Sequence, residues 1–257
     1  MLQDVLRRIE TACRRAGRDP SEVTLVAVTK GHAAAAVERH VLQHGHRVLG
    51  ENRAQELRDK RALLPADIEW HFIGNLQRNK VKYLSGVAMV HSLTTPRLAD
   101  ALDRQAAHDG RPMRVLLEVN VAGEASKQGA DPDDAAALAR YVRGLPHLRL
   151  EGLMTMAPYS DDPEAARPVF RAARALRDEL GLRALSMGMS NDFEIAVEEG
   201  ATLVRVGTAL FEPGPVEPRP DEPSHDEPSP DEPSPVKLDH ARAATEGQAS
   251  PPERGEE

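Results

Sequence analysis

The chain has 257 residues, 40% of them hydrophobic, with a formal net charge of −8 and one cysteine, Cys13. That length and composition fit one large α/β domain or two small ones and exclude global disorder, and a lone cysteine excludes an intrachain disulfide and suits a reducing cytosol. The acidity is local: residues 214–257 hold twelve acidic and four basic side chains, leaving residues 1–213 neutral, which argues against nucleic-acid and membrane-surface partners.

In chain order, MLQDVLRRIETACRRAG places Leu2, Val5, Leu6 and Ile9 on one stripe and predicts an amphipathic helix rather than a signal peptide. Eight apolar, β-branched segments follow: 23–30, 46–52, 69–74, 87–93, 114–121, 148–156, 184–190 and 202–211. Helical patterns separate them, among them 133–145 and 166–180. Alternating strand and helix implies a parallel sheet with helical crossovers. Eight such units in about 200 residues predict an α/β fold, a single (β/α)8 TIM barrel over residues 1–212. A doubly wound open sheet is the alternative, but a Gly-rich phosphate loop would normally follow its first strand, and here that position reads Thr29-Lys30-Gly31-His32. No apolar run reaches the roughly 20 residues of a membrane span. Residues 213–257 carry DEPSH-DEPSP-DEPSP at 221–235, and no aromatic residue follows Phe211. That composition predicts a disordered, solvating tail.

Barrel enzymes place their sites at the C-terminal strand ends, and here those ends are polar. They read Lys30, Glu51-Asn52, Gly74-Asn75, Ser92, Asn120, Met154-Thr155, Ser190 and Arg205-x-Gly207-Thr208. Six lysines stand against 27 arginines, and Lys30 alone ends an apolar strand. A lysine in a partly desolvated mouth is an amine nucleophile toward an aldehyde; a lysine snorkelling to the rim fits the spacing equally well. Asn191 and Glu194 have capping-box spacing, which predicts a helix start with Ser190 at its mouth. Gly207 admits close approach of backbone N–H groups to an anion and Thr208 adds a hydroxyl; ordinary caps and turns are the competing reading. Arg205 shares the inward face with Leu203 and Gly207, so it needs a partner. Glu51, Glu118 or a cofactor ring nitrogen would serve. His32, His40, His44 and His46 invite a metal reading, but no carboxylate or cysteine completes a set, so no metal is expected and a solvent-facing helix accounts for them. Trp70 and Phe72 read as packing between barrel and helices.

At these residues the chain resembles the YggS-type pyridoxal phosphate (PLP) homeostasis proteins, whose fold is similar to the barrel domain of alanine racemase. The resemblance rests on AVTK at 27–30, GEN-x-x-QE at 50–56, WHFIG-x-LQ-x-NK at 70–80, NV…SKQG at 120–129, GLMTM at 152–156, LSMGMS-x-DFE at 185–194 and GAT-x-VR-x-GTALF at 200–211. It implies pyridoxal 5′-phosphate held as a Schiff base on Lys30, Asn52 and His71 near the ring, Ser190, Gly207 and Thr208 on the phosphate, and Arg205 at the pyridine nitrogen. It also marks Lys127 as a second lysine able to receive the aldehyde. The acidic tail is an addition to that pattern.

The residues then favour a cofactor carrier in the cytoplasm over a dedicated enzyme. An arginine at the ring nitrogen favours the unprotonated ring, a poor electron sink. Tyr83, Tyr141 and Tyr159 all precede the tail, so a second catalytic base from a further domain is not expected. The chain is expected to be a monomer whose partners are PLP and apo forms of PLP-dependent enzymes. The alternative is a weak amino-acid racemase.

Overall fold

A computed structural model describes residues 1–124 and 128–211, so Lys127 and the acidic segment from 212 onward lie outside the described residues. Eight strands form: β1 (Thr24–Val28), β2 (Val48–Glu51), β3 (Glu69–Phe72), β4 (Met89–Leu93), β5 (Met113–Glu118), β6 (Leu148–Met154), β7 (Ala184–Ser186) and β8 (Leu203–Val206). They pair in parallel in chain order, and β8 returns to β1 to close the barrel. All eight expected strands are present. Seven of them end earlier than expected because their polar C-terminal ends leave the ladder, while β4 keeps its expected end at Leu93 and starts two residues later. Lys30 thus lies two residues beyond β1, and Thr208–Leu210 forms a 3-10 turn beyond β8.

The seven α-helices among the described residues are α1 (Leu2–Arg15), α2 (Ala34–His40), α3 (Ala54–Leu63), α4 (Pro96–His108), α5 (Ala135–Arg143), α6 (Arg167–Glu179) and α7 (Phe193–Glu198). A 3-10 stretch, Arg78–Leu84, replaces the helix between β3 and β4. The N-terminal end of α4 shows why it starts where it does. Thr95 accepts from the Leu98 amide with Pro96 at the first helical position, and His108 sits in the last turn.

Two apolar cores result from the period-two alternation of the strands. The large one lies between sheet and helices and includes Leu25, Ala27, Leu49, Phe72, Val90, Val115, Phe170 and Val204. The small one fills the barrel itself with Val26, Met89, Leu116, Met154 and Leu203. Each of these buried side chains larger than alanine contributes about 1.5–3 kcal/mol, and strands buried on both faces read as the continuous apolar runs seen in the sequence. The stripe of α1 buries Leu2, Val5 and Ile9 as expected, and its polar edge holds α7. Arg8 donates Nε and Nη2 to the two carboxylate oxygens of Glu194, both at 2.9 Å, and stacks over Phe193 at 4.6 Å.

Candidate functional site

Barrel closure brings distant polar strand ends together. Strands β7, β8, β1 and β2 are consecutive neighbours. Their C-terminal ends carry Ser190, Gly207-Thr208, Lys30 and Asn52 respectively, so four stretches far apart in sequence share one rim. The register Ala27↔Val206 sets the loop that carries Lys30 beside the one that carries Thr208.

Each expected site residue has a definite place. Lys30 is exposed in the turn after β1, where the preceding Thr29 is fully buried. Thr29 is held from behind. Its hydroxyl donates to Glu51 Oε1 at 2.6 Å, and Lys60 Nζ donates to its carbonyl at 2.6 Å while pairing with Glu51. Asn52 is half-buried, and Gly74 packs so closely on its backbone that a Cβ there would overlap the Asn52 carbonyl. A cavity of about 170 Å3 opens beside Asn52, lined also by Gln55, Phe72, Asn75 and Lys80; no other expected site residue lines it. Ser190 Oγ lies 3.4 Å from the Gly207 amide, so the strand-7 and strand-8 ends do converge. A Cβ at Gly207 would stand 3.3 Å from both Val28 Cβ and the Val28 carbonyl oxygen, so the residue packs tightly on the end of β1. Thr208 is exposed at the start of the 3-10 turn.

The capping box does not form. The helix begins one residue later than the spacing predicts, at Phe193, and Asp192 Oδ1 accepts from the Met189 amide at 2.6 Å. Glu194 is drawn off by Arg8, and Asn191 donates to the Ser160 carbonyl at 2.7 Å. The histidines differ too. His46 Nε2 lies 3.0 Å from the carbonyls of both Leu25 and Val48, and His32 stacks on Phe211 at 3.7 Å. Neither sits on a solvent-facing helix surface.

Arg205 is buried and forms no ion pair within 4 Å with Glu51 or Glu118 among the described residues. Its Nη1 donates to Ser186 Oγ at 2.6 Å and its Nη2 to the Thr155 carbonyl at 3.0 Å. A guanidinium offers five N–H groups, so donors remain for a ligand. Burial lowers its pKa to about 10, opposed by Glu118 and Asp192, and it stays charged at neutral pH. Burial likewise raises Glu118 to about 7, with Arg205 opposing.

His71 lies deeper in the barrel, with both ring nitrogens engaged. Nε2 meets Glu69 Oε1 at 3.2 Å and Nδ1 meets His91 Nε2 at 2.8 Å. His91 Nδ1 in turn meets Ser186 Oγ at 2.9 Å. The sequence reading missed His91 and Ser186. It took Ser92 as the polar end of β4, but Ser92 is buried with a hydroxyl that finds no partner among the described residues. Counting by two from the lumen-facing Met89 gives His91 instead.

This donor set fits a phosphorylated aldehyde cofactor. It offers a primary amine on an exposed turn, a glycine amide and a serine hydroxyl in contact, and a buried guanidinium with donors to spare. The alanine racemase N-terminal domain family matches residues 2–215. The chain is 52% identical over 207 residues to the pyridoxal phosphate homeostasis protein of Deinococcus radiodurans, covering 80% of this chain and 97% of that one. It is 48% identical over 218 residues to the protein of the same name in Aquifex aeolicus, covering 82% and 95%. PipY of Synechococcus elongatus, solved with PLP bound, shares 38% identity at a TM-score of 0.70, covering 80% of this chain and 99% of that one. By sequence motifs, fold and relatives alike, the chain belongs to the alanine racemase N-terminal domain family, among its pyridoxal phosphate homeostasis proteins.

Proposed function

We propose that this protein holds pyridoxal 5′-phosphate as a Schiff base on Lys30 and supplies or buffers the cofactor within the cytoplasm, without a dedicated reaction of its own. The observation that carries the reading is the single rim on which Lys30, Ser190, Gly207 and Thr208 emerge from neighbouring strands. When bound, PLP supplies an aldehyde for an amine and a conjugated ring able to accept electrons. On this reading Lys30 provides the amine, and its exposure lets a competing amine or water reach the linkage, as release requires. The Gly207 amide and the Ser190 and Thr208 hydroxyls hold the phosphate. Asn52 flanks the ring. Arg205 donates toward the ring nitrogen and, remaining charged, opposes its protonation, so the ring is a weak electron sink. His71, expected near the ring, is also tied to Arg205 through His91 and Ser186.

Support for a carrier comes from the names of the relatives at 48–52% identity and from Arg205. Residues 1–212 form the cofactor-binding unit, the acidic segment 213–257 takes no part in it, and the protein acts as a monomer. No helix among the described residues is long and apolar enough to cross a membrane. Two assays separate carrier from racemase. PLP-loaded protein mixed with an apo PLP-dependent enzyme should restore that enzyme's activity. The same protein with L-alanine should form D-alanine no faster than free PLP does. Racemisation well above that background, with no transfer, would replace the carrier by an enzyme.

A further inference from the structure

A row of polar side chains runs along the barrel axis where apolar filling is the rule. It passes from Arg205 on β8 to Ser186 on β7, His91 on β4, His71 on β3 and Glu69 at the start of β3, with contacts of 2.6, 2.9, 2.8 and 3.2 Å. Ser186, His91 and His71 are each at most 1% exposed. Glu69 is half-exposed at the opposite end of the barrel and also accepts from Arg114 at 3.2 Å; Arg114 in turn reaches Glu151 at 2.8 Å.

The two ends of this row have fixed polarity. Arginine only donates, and an ionised carboxylate only accepts. Ser186 Oγ must therefore accept from Arg205, and His71 Nε2 must carry a hydrogen toward Glu69. A neutral His71 then accepts at Nδ1, so His91 carries its hydrogen on Nε2 and accepts at Nδ1. The Ser186 hydroxyl supplies that last hydrogen. Every member before Glu69 donates once down the row, Glu69 accepts at its end, and no donor or acceptor of the buried members is wasted. Burial, with the Arg205 and Arg114 guanidiniums nearby, holds His91 well below the usual imidazole range and keeps it neutral.

We propose that His71, His91 and Ser186 are positioning residues that form a one-way hydrogen-bonded relay, fixing the guanidinium of Arg205 toward the cofactor and coupling it to Glu69 at the far end of the barrel. This deepens the PLP reading and rests on it for the direction in which Arg205 points. Adding a proton at His71 would force His91 to carry its hydrogen on Nδ1. The Ser186 hydroxyl would then accept twice and lose its own acceptor, so the hold on Arg205 would loosen. The charged groups around the row are Glu69 on β3, Arg114 and Glu118 on β5, Glu151 on β6, Asp192 before α7, and Arg205 itself.

The relay is tested first without cofactor. Imidazole nitrogen NMR on the cofactor-free protein, with His71→Gln and His91→Gln for assignment, should find both rings carrying hydrogen on Nε2 at mildly alkaline pH. A hydrogen on Nδ1 of His91 under those conditions would overturn the one-way order. The second arm uses PLP itself. Ser186→Ala should weaken PLP binding on the order of tenfold, the size expected for a lost hydrogen bond to a charged group. It should also shift the cofactor absorbance, and Ser186→Thr, which keeps the hydroxyl, should restore both. Wild-type affinity and spectrum in Ser186→Ala would refute the positioning role, provided borohydride still traps PLP on Lys30. If wild-type protein traps no PLP at all, the cofactor reading fails, while the NMR result still decides the order of the relay.

Discussion

Replacing Lys60 by methionine tests the support behind the cofactor lysine. Glu51 is fully buried. Its Oε1 accepts from Thr29 Oγ1 and from Lys60 Nζ, and its Oε2 has no partner among the described residues. Lys60→Met leaves that carboxylate in the interior with one hydroxyl donor, and it strips the Thr29 carbonyl of the Lys60 donor as well. Removing one member of a buried ion pair costs about 3–5 kcal/mol. For a domain of this size each kcal/mol lowers Tm by about 2–4 °C, so a fall of roughly 6–20 °C is expected in thermal unfolding. Because Thr29 precedes Lys30, the variant should also trap PLP more slowly in borohydride. The double variant Lys60→Met/Glu51→Gln removes the orphaned charge and should regain most of the loss, so the two substitutions are strongly non-additive. A Lys60→Met Tm within about 2 °C of wild type, or additive losses in the double variant, would refute the reasoning.

Other substitutions have equally definite outcomes. Arg205→Glu places a carboxylate against the Thr155 carbonyl and near Glu118. It should lower stability by several kcal/mol and weaken PLP retention; Arg205→Gln keeps a donor and should do less of both, as equilibrium unfolding and cofactor titration will report. Glu118 has its pKa raised to about 7 in the fold, so the native state binds the extra proton between its ordinary value of 4.5 and about 7. Stability should therefore fall as pH rises through that window, by about 3 kcal/mol. Glu118→Gln should flatten the dependence in denaturant midpoints measured at about pH 5 and about pH 8. Truncation after residue 212 removes a segment without aromatic residues and should leave both Tm and PLP affinity unchanged; a large fall in either would show that the segment docks.

The barrel was legible because its strands are buried on both faces. VTLVAV, RVLLEV and TLVRV stand out as apolar, β-branched runs whatever their neighbours. Helix α1 was legible for the opposite reason, its one-sided stripe. What local pattern could not supply is long-range pairing. Asn191-x-x-Glu194 has the spacing of a capping box, yet Glu194 belongs to Arg8, at the other end of the chain, and nothing between residues 190 and 195 signals that. The lumen network was hidden differently. Its members lie one per strand on β3, β4, β7 and β8, so no motif contains two of them, except the Glu69–His71 step on β3. Strict alternation from Met89 would still have shown His91 on the inner face. Extending strand 1 to Lys30 hid the fact that the lysine stands in an exposed turn, with Thr29 as the residue that is anchored.

The central claim is that Lys30 carries the cofactor. Protein saturated with PLP, reduced with borohydride and digested, should yield one dominant pyridoxyl-labelled peptide containing Lys30. Lys30→Ala should fold with an unchanged Tm and lose that label. Label found chiefly on Lys60, Lys80 or Lys127, or undiminished trapping in Lys30→Ala, would contradict the account.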